Sequence, residues 1–99
     1  MRFDIQIPQD RIDAFTKSGL WPNRLITEYL DDDLAVEPDR LAMAVYRDGE
    51  GQPTGLSYAE LGQAVRRIAL GLTALGIGPG DVVAAQLPNW WQFTALHLA

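Results

Sequence analysis

Several groups of residues in this 99-residue chain have types or spacings with chemical potential. Gly76-Ile77-Gly78-Pro79-Gly80 has the glycine density of a phosphate-cradling loop. Such loops run from a strand into a helix, so that the helix N-terminus faces the anion. Here the glycines leave a helical pattern and enter an extended apolar one, so they face a helix C-terminus and its partial negative charge. No Gly-Lys-Ser/Thr follows, and the segment reads as a turn. Asp31-Asp32-Asp33 has the composition of a cation site. On a helix, however, adjacent side chains point about 100° apart and cannot all reach one ion. The glycine and distal glutamate of a calcium loop are missing too, so a solvated face is the reading.

His97 is the single histidine, and the chain has no cysteine. A zinc site needs more ligands than that, so His97 reads as a packed or rim residue. Ser57 and Ser18 read as parts of helix ends rather than nucleophiles. Trp90, Trp91 and Phe93 have the surface for ligand stacking, but aromatics beside a buried strand are more often core. The two tryptophans are expected to diverge, one toward the core and one toward a partner surface. From residue chemistry, no catalytic, cofactor-binding or metal-ligating residue is assigned.

The elements that would position any such group centre on residues 56–87. Leu56-Ser57-Tyr58-Ala59-Glu60-Leu61 is a capping box with a hydrophobic staple. Leu61, Ala64, Val65, Ile68, Leu72 and Leu75 then form one apolar helical stripe. Gly76 stands where a left-handed stop is wanted, and Ile77 can fold back on Leu72 as in a Schellman motif. Val82-Val83-Ala84-Ala85-Gln86-Leu87 lacks polar alternation and reads as a strand buried on both faces. Pro88-Asn89 ends it, and Asn89 is the expected cap of a last helix. Upstream, the pattern predicts a short helix over residues 8–18 with Gly19 as its stop. A second is expected over 24–36, capped by Asn23, with Ile26, Tyr29, Leu30 and Leu34 as its stripe. A hairpin follows, with one strand over 41–46, an exposed turn over 47–54 and a brief return at Gly55-Leu56. The expected organisation is a lead-in over residues 1–22 within an incomplete N-terminal segment of 1–99.

Composition narrows the function classes. A hydrophobic content of 47% is that of a globular chain. A net charge of −5 and a pI near 4.5 argue against nucleic-acid binding and against an anionic membrane surface. No run of about 18 apolar residues is present, so no transmembrane helix is expected. Met1-Arg2-Phe3-Asp4-Ile5-Gln6 is not a secretory pattern, and the absence of cysteine fits a cytoplasmic location. The strand at 82–87 is too apolar for a sheet edge, and the last apolar helix leads to no further strand. The chain is expected to be cut from a larger α/β protein, needing the rest of its domain or self-associating.

The stretch from Leu56 to Asn89 resembles the N-terminal signature of the AMP-forming, adenylate-forming enzymes: acyl- and aryl-CoA synthetases, luciferases and adenylation domains. Gln86-Leu87-Pro88-Asn89-Trp90-Trp91-Gln92-Phe93 is similar to medium-chain fatty-acid and cyclohexanecarboxylate-type CoA ligases. Gly19-Leu20-Trp21, Leu25-Ile26-Thr27-Glu28-Tyr29-Leu30 and Glu37-Pro38-Asp39 fit that subgroup's opening. The implied fold is α/β, the first portion of a large adenylate-forming domain: edge hairpin, capped helix, buried strand and start of the next helix. The implied reaction joins a fatty or alicyclic acid to coenzyme A through an acyl-adenylate, with ATP and magnesium. The family's phosphate loop, its aromatic-Gly-x-Thr-Glu segment, its ribose-binding aspartate and its catalytic lysine have no counterpart here; the sole lysine, Lys17, matches none. The resemblance therefore implies no site residue, no cofactor held by these residues alone, and no activity for them in isolation. Two alternatives stand beside this reading. One is the N-terminus of another adenylate-forming enzyme, such as a fatty-acyl-AMP ligase or an adenylation domain. The other is a free-standing scaffold module or gene remnant.

Overall fold

The computed structural model describes residues 6–47, 49 and 51–99. Met1 to Ile5 of the lead-in, and Asp48 and Glu50 of the turn, lie outside the described residues. The elements in order are α1 (Gln9–Lys17), α2 (Ile26–Val36), β1 (Leu41–Val45), β2 (Thr54–Ser57), α3 (Tyr58–Ala74) and α4 (Trp91–Leu98).

The best-specified element is α3, because the four donors of its start are partnered and its C-terminus is closed by a glycine stop. Ser57 Oγ accepts from the Glu60 N–H at 3.2 Å, and the Glu60 carboxylate accepts from the Ser57 N–H at 2.8 Å. The remaining first-turn donors are taken by the chain ahead of β1. Tyr58 N–H donates to the Arg40 carbonyl at 3.0 Å and Ala59 N–H to the Pro38 carbonyl at 2.8 Å. At the other end Gly76 adopts φ +85°. Gly76 N–H donates to Thr73 O and Ile77 N–H to Leu72 O, the pair that defines a Schellman stop. Ser57→Ala removes a cap worth about 1 kcal/mol. A chemical melt followed by far-UV circular dichroism should show that loss, and an unchanged midpoint would contradict the capping role.

β1 and β2 form one antiparallel hairpin, with Val45 opposite Thr54 and Met43 opposite Leu56. A register shift between Leu41 and Met43 bends β1 as it meets α3. Leu30 of α2, Leu61 of α3 and Ala95 of α4 form the centre of the core. Leu34, Met43, Tyr58, Val65, Ile68 and Trp91 pack around them. α2 reaches α3 closely at Gly62, where an added Cβ would lie 2.9 Å from Leu34 Cδ1. The radius of gyration is 16.8 Å, against about 13 Å for a self-contained domain of roughly 100 residues.

Four expectations need correction. α2 starts at Ile26 with Leu25 as its cap, not Asn23. Asn23 follows Pro22 and takes φ +53°, a left-handed conformation that asparagine tolerates and that lies outside a cap's extended geometry. The Glu28 carboxylate instead accepts from the Leu25 N–H, which sets the first turn there. Second, Ile26 and Tyr29 are exposed, as is Leu75 of the α3 stripe, since no apolar element among the described residues packs over those ends. Third, α4 begins at Trp91, because Trp90 N–H donates to the Pro88 carbonyl at 2.7 Å. That bond closes a three-residue turn around Asn89 and takes it out of the capping position. Fourth, residues 82–87 form no paired strand and are exposed, where a strand buried on both faces is expected. An extended segment becomes a strand only through a hydrogen-bonded neighbour, and none adjoins it among the described residues.

Candidate functional site

Two hollows flank α3. The larger, about 450 Å³, lies between α3, residues 82–87 and α4, and is lined by Leu72, Val83, Ala85, Phe93, Leu96 and His97. The smaller, about 240 Å³, lies between α2 and α3, with Leu30, Leu34 and Gly62 inside and Asp31 and Arg66 on its lining.

Among the described residues His97 is the one titratable side chain lining the larger hollow, and its ring packs against Phe93 with centroids 4.3 Å apart and planes tilted by 54°. Its Nδ1 lies 2.8 Å from the Phe93 carbonyl oxygen. A carbonyl can only accept, so Nδ1 carries the proton, and in the neutral ring Nε2 is the acceptor. Among the described residues no nucleophilic or second acid–base side chain lines that hollow. His97 is exposed at the rim of the hollow.

The structure does not bring the other candidates together. Asp32 pairs with Arg24 at 2.8 Å, and Arg24 also lies over the Tyr29 ring at 4.4 Å. The hydrogen bond to Asp32 raises the Arg24 guanidinium above its ordinary pKa. Arg40 is raised likewise by its bond to Glu37 at 2.7 Å. Both pairs are solvent-screened surface features. Among the described residues no three His, Cys, Asp or Glu side chains are grouped to hold a metal ion.

Gly76 to Gly80 is a turn leaving α3, with Gly80 at φ +91°. Its Gly78 N–H donates to the Asp81 carboxylate at 2.8 Å, so a carboxylate fills the place an anion would take. The N-termini of α2 and α3 are likewise filled, by Glu28 and Glu60. Ser57 is a cap, and Ser18 Oγ donates to the Phe15 carbonyl at the end of α1. Lys17 is the exposed last residue of α1. Trp91 packs against the core, whereas Trp90 lies under the Arg47 guanidinium at 4.3 Å. That contact ties the start of the hairpin turn to the start of α4. Sequence reading missed it because the two residues share no local spacing.

Among the described residues no helix is long and apolar enough to cross a membrane. A family model described as AMP-binding enzyme matches residues 30–99. Among curated proteins, the chain is 45% identical over 95 residues to a salicyl-AMP ligase / salicyl-S-ArCP synthetase of Mycobacterium tuberculosis, covering 96% of this chain and 17% of that protein. It is 30% identical over 99 residues to a medium-chain fatty-acid–CoA ligase of Escherichia coli, covering 100% of this chain and 17% of that protein. A salicylyl-CoA synthase / salicylate adenylyltransferase of Streptomyces is 33% identical over 92 residues, covering 93% of this chain and 16% of that protein. The chain thus spans about one sixth of the length of these relatives. No solved structure matches it significantly. The family match takes in the core, the Schellman stop and the larger hollow, and the chain belongs to the AMP-binding enzyme family.

Proposed function

We propose that this chain is the opening segment of an ATP-dependent adenylate-forming ligase, with residues 1–22 as a lead-in to the AMP-binding domain. The observation that carries the reading is the family match over residues 30–99, joined to acid-activating relatives along nearly the whole chain. The mixed fold of helices and one small hairpin fits the first part of such a domain. In the proposed reaction a carboxylate oxygen attacks the α-phosphorus of ATP. An acyl-adenylate forms and pyrophosphate leaves. A thiolate then attacks the acyl carbon and AMP leaves.

Catalysis of the first step is mainly positioning and neutralisation of charge at phosphorus. These residues contribute the scaffold beneath that machinery, α3 and its turn above all. ATP, magnesium and coenzyme A would be held by the rest of the polypeptide, since no group of three metal-ligating side chains occurs among the described residues.

Two acid classes compete. The 45% identity to a protein named for salicylate favours an aromatic hydroxy acid. The 30% identity along the entire chain to a medium-chain fatty-acid ligase favours the aliphatic or alicyclic acid implied by Gln86 to Phe93. The test is ATP–pyrophosphate exchange by the product of the complete gene, with salicylate, octanoate or cyclohexanecarboxylate, followed by thioester assay with coenzyme A. We expect exchange dependent on one of these acids. Acid-independent ATP turnover would defeat the reading.

A further inference from the structure

α2, α4 and the hairpin all pack on α3, whereas no residue of α1 is buried. α1 is nevertheless finished at both ends. The Gln9 side chain donates to the Asp13 carboxylate at 2.8 Å, and the Arg11 guanidinium lies over the Phe15 ring at 5.5 Å. After the last turn Gly19 takes φ +78° and sends the chain back on itself. Trp21 N–H then donates to the Phe15 carbonyl at 3.1 Å, and the two rings meet with centroids 5.0 Å apart. Among the described residues, every hydrogen bond and ring contact of residues 8–21 closes within that stretch.

The connection to α2 is built differently. Among the described residues, the backbone of residues 22–24 makes no hydrogen bond, and Asn23 takes φ +53°. One side chain fixes the connection. Arg24 lies over the Tyr29 ring at 4.4 Å and donates to the Asp32 carboxylate at 2.8 Å, along the first two turns of α2. A self-contained unit on a bare connector moves as one body, and the connector absorbs the change of angle. An exposed ion pair and an exposed cation–π contact are each weak, so this hold releases readily. We propose that residues 8–21 are a rigid arm that pivots at Pro22–Asn23, with Arg24 as the latch that fixes its direction against α2. The proposal goes beyond the ligase reading and does not rest on it.

Nitrogen-15 relaxation of the 99-residue chain reads the motion residue by residue. In the parent chain the backbone order parameters of residues 10–17 should match those of α3, at about 0.85. In Arg24→Ala they should fall together below about 0.6, while the helical carbon shifts of α1 stay unchanged. Asp32→Asn, at an exposed position away from the Leu30–Leu61–Ala95 core, should lower them in the same direction. So should about 1 M salt on the parent chain, which screens the ion pair without any substitution. Values already low in the parent chain, or high in both Arg24→Ala and salt, overturn the latch. A decline graded inward from Gln9, or loss of the helical shifts, overturns the rigid arm. In the complete gene product Asp32→Asn should speed tryptic cleavage after Arg24 at least about tenfold, because the connector is then free to open. An unchanged cleavage rate overturns the proposal there.

Discussion

The purified 99-residue chain is expected to form no acyl-adenylate from ATP with salicylate, octanoate or cyclohexanecarboxylate. Adenylyl transfer concentrates negative charge on phosphorus oxygens, and each preorganised donor removed from such a site typically costs a factor of about 10²–10³ in rate. Here three of the places a phosphate could use are filled by carboxylates. The first turns of α2 and α3 face Glu28 and Glu60, and the glycine turn faces Asp81. Lys17 lies exposed at the end of α1, and the larger hollow offers one histidine among apolar side chains. Losing several donors at once places the rate below detection. A preparation free of host ligases should therefore release no pyrophosphate above the acid-free control. Release that needs both ATP and acid would show that these residues hold a site of their own.

Leu61→Ala is expected to remove much of the chain's folding stability. Leu61 is 5% exposed, and with Leu30 and Ala95 it joins three helices. Truncating a buried leucine costs about 2–5 kcal/mol, the spread reflecting how far the cavity collapses. Complete domains are stable by only about 5–15 kcal/mol. This chain leaves Leu70, Leu75, Val82, Val83 and Leu87 exposed, so it has less in reserve. Far-UV circular dichroism during a urea titration should show the helical transition of Leu61→Ala moved to markedly lower denaturant, or absent. Leu70→Ala, at a position 65% exposed, should stay within about 0.5 kcal/mol of the parent. Similar midpoints for the two variants would mean that the three-helix contact is not what holds the chain together.

Much of this protein is written in local spacing, and the reason is range. The Ser57–Glu60 box, the Gly76 stop with its Ile77–Leu72 bond, and the Gly78–Asp81 turn each close within a few residues. Their outcome depends on nothing distant, so the sequence alone determined them. It determined the hairpin and the family as well, since residues 41–56 carry the hairpin pattern and residues 56–89 the likeness. Tertiary structure decided what depends on remote partners. Ala95, a small residue with no special signal, is the most buried side chain because α3 passes directly over it. Trp90 and Trp91 part company because Arg47 reaches one and the core takes the other. Asn23 loses its cap role to a carboxylate that captures the Leu25 N–H. Residues 82–87 have the composition of a buried strand, yet composition supplies only the demand for neighbours. Burial and pairing come from a second backbone alongside, and none is paired with it among the described residues.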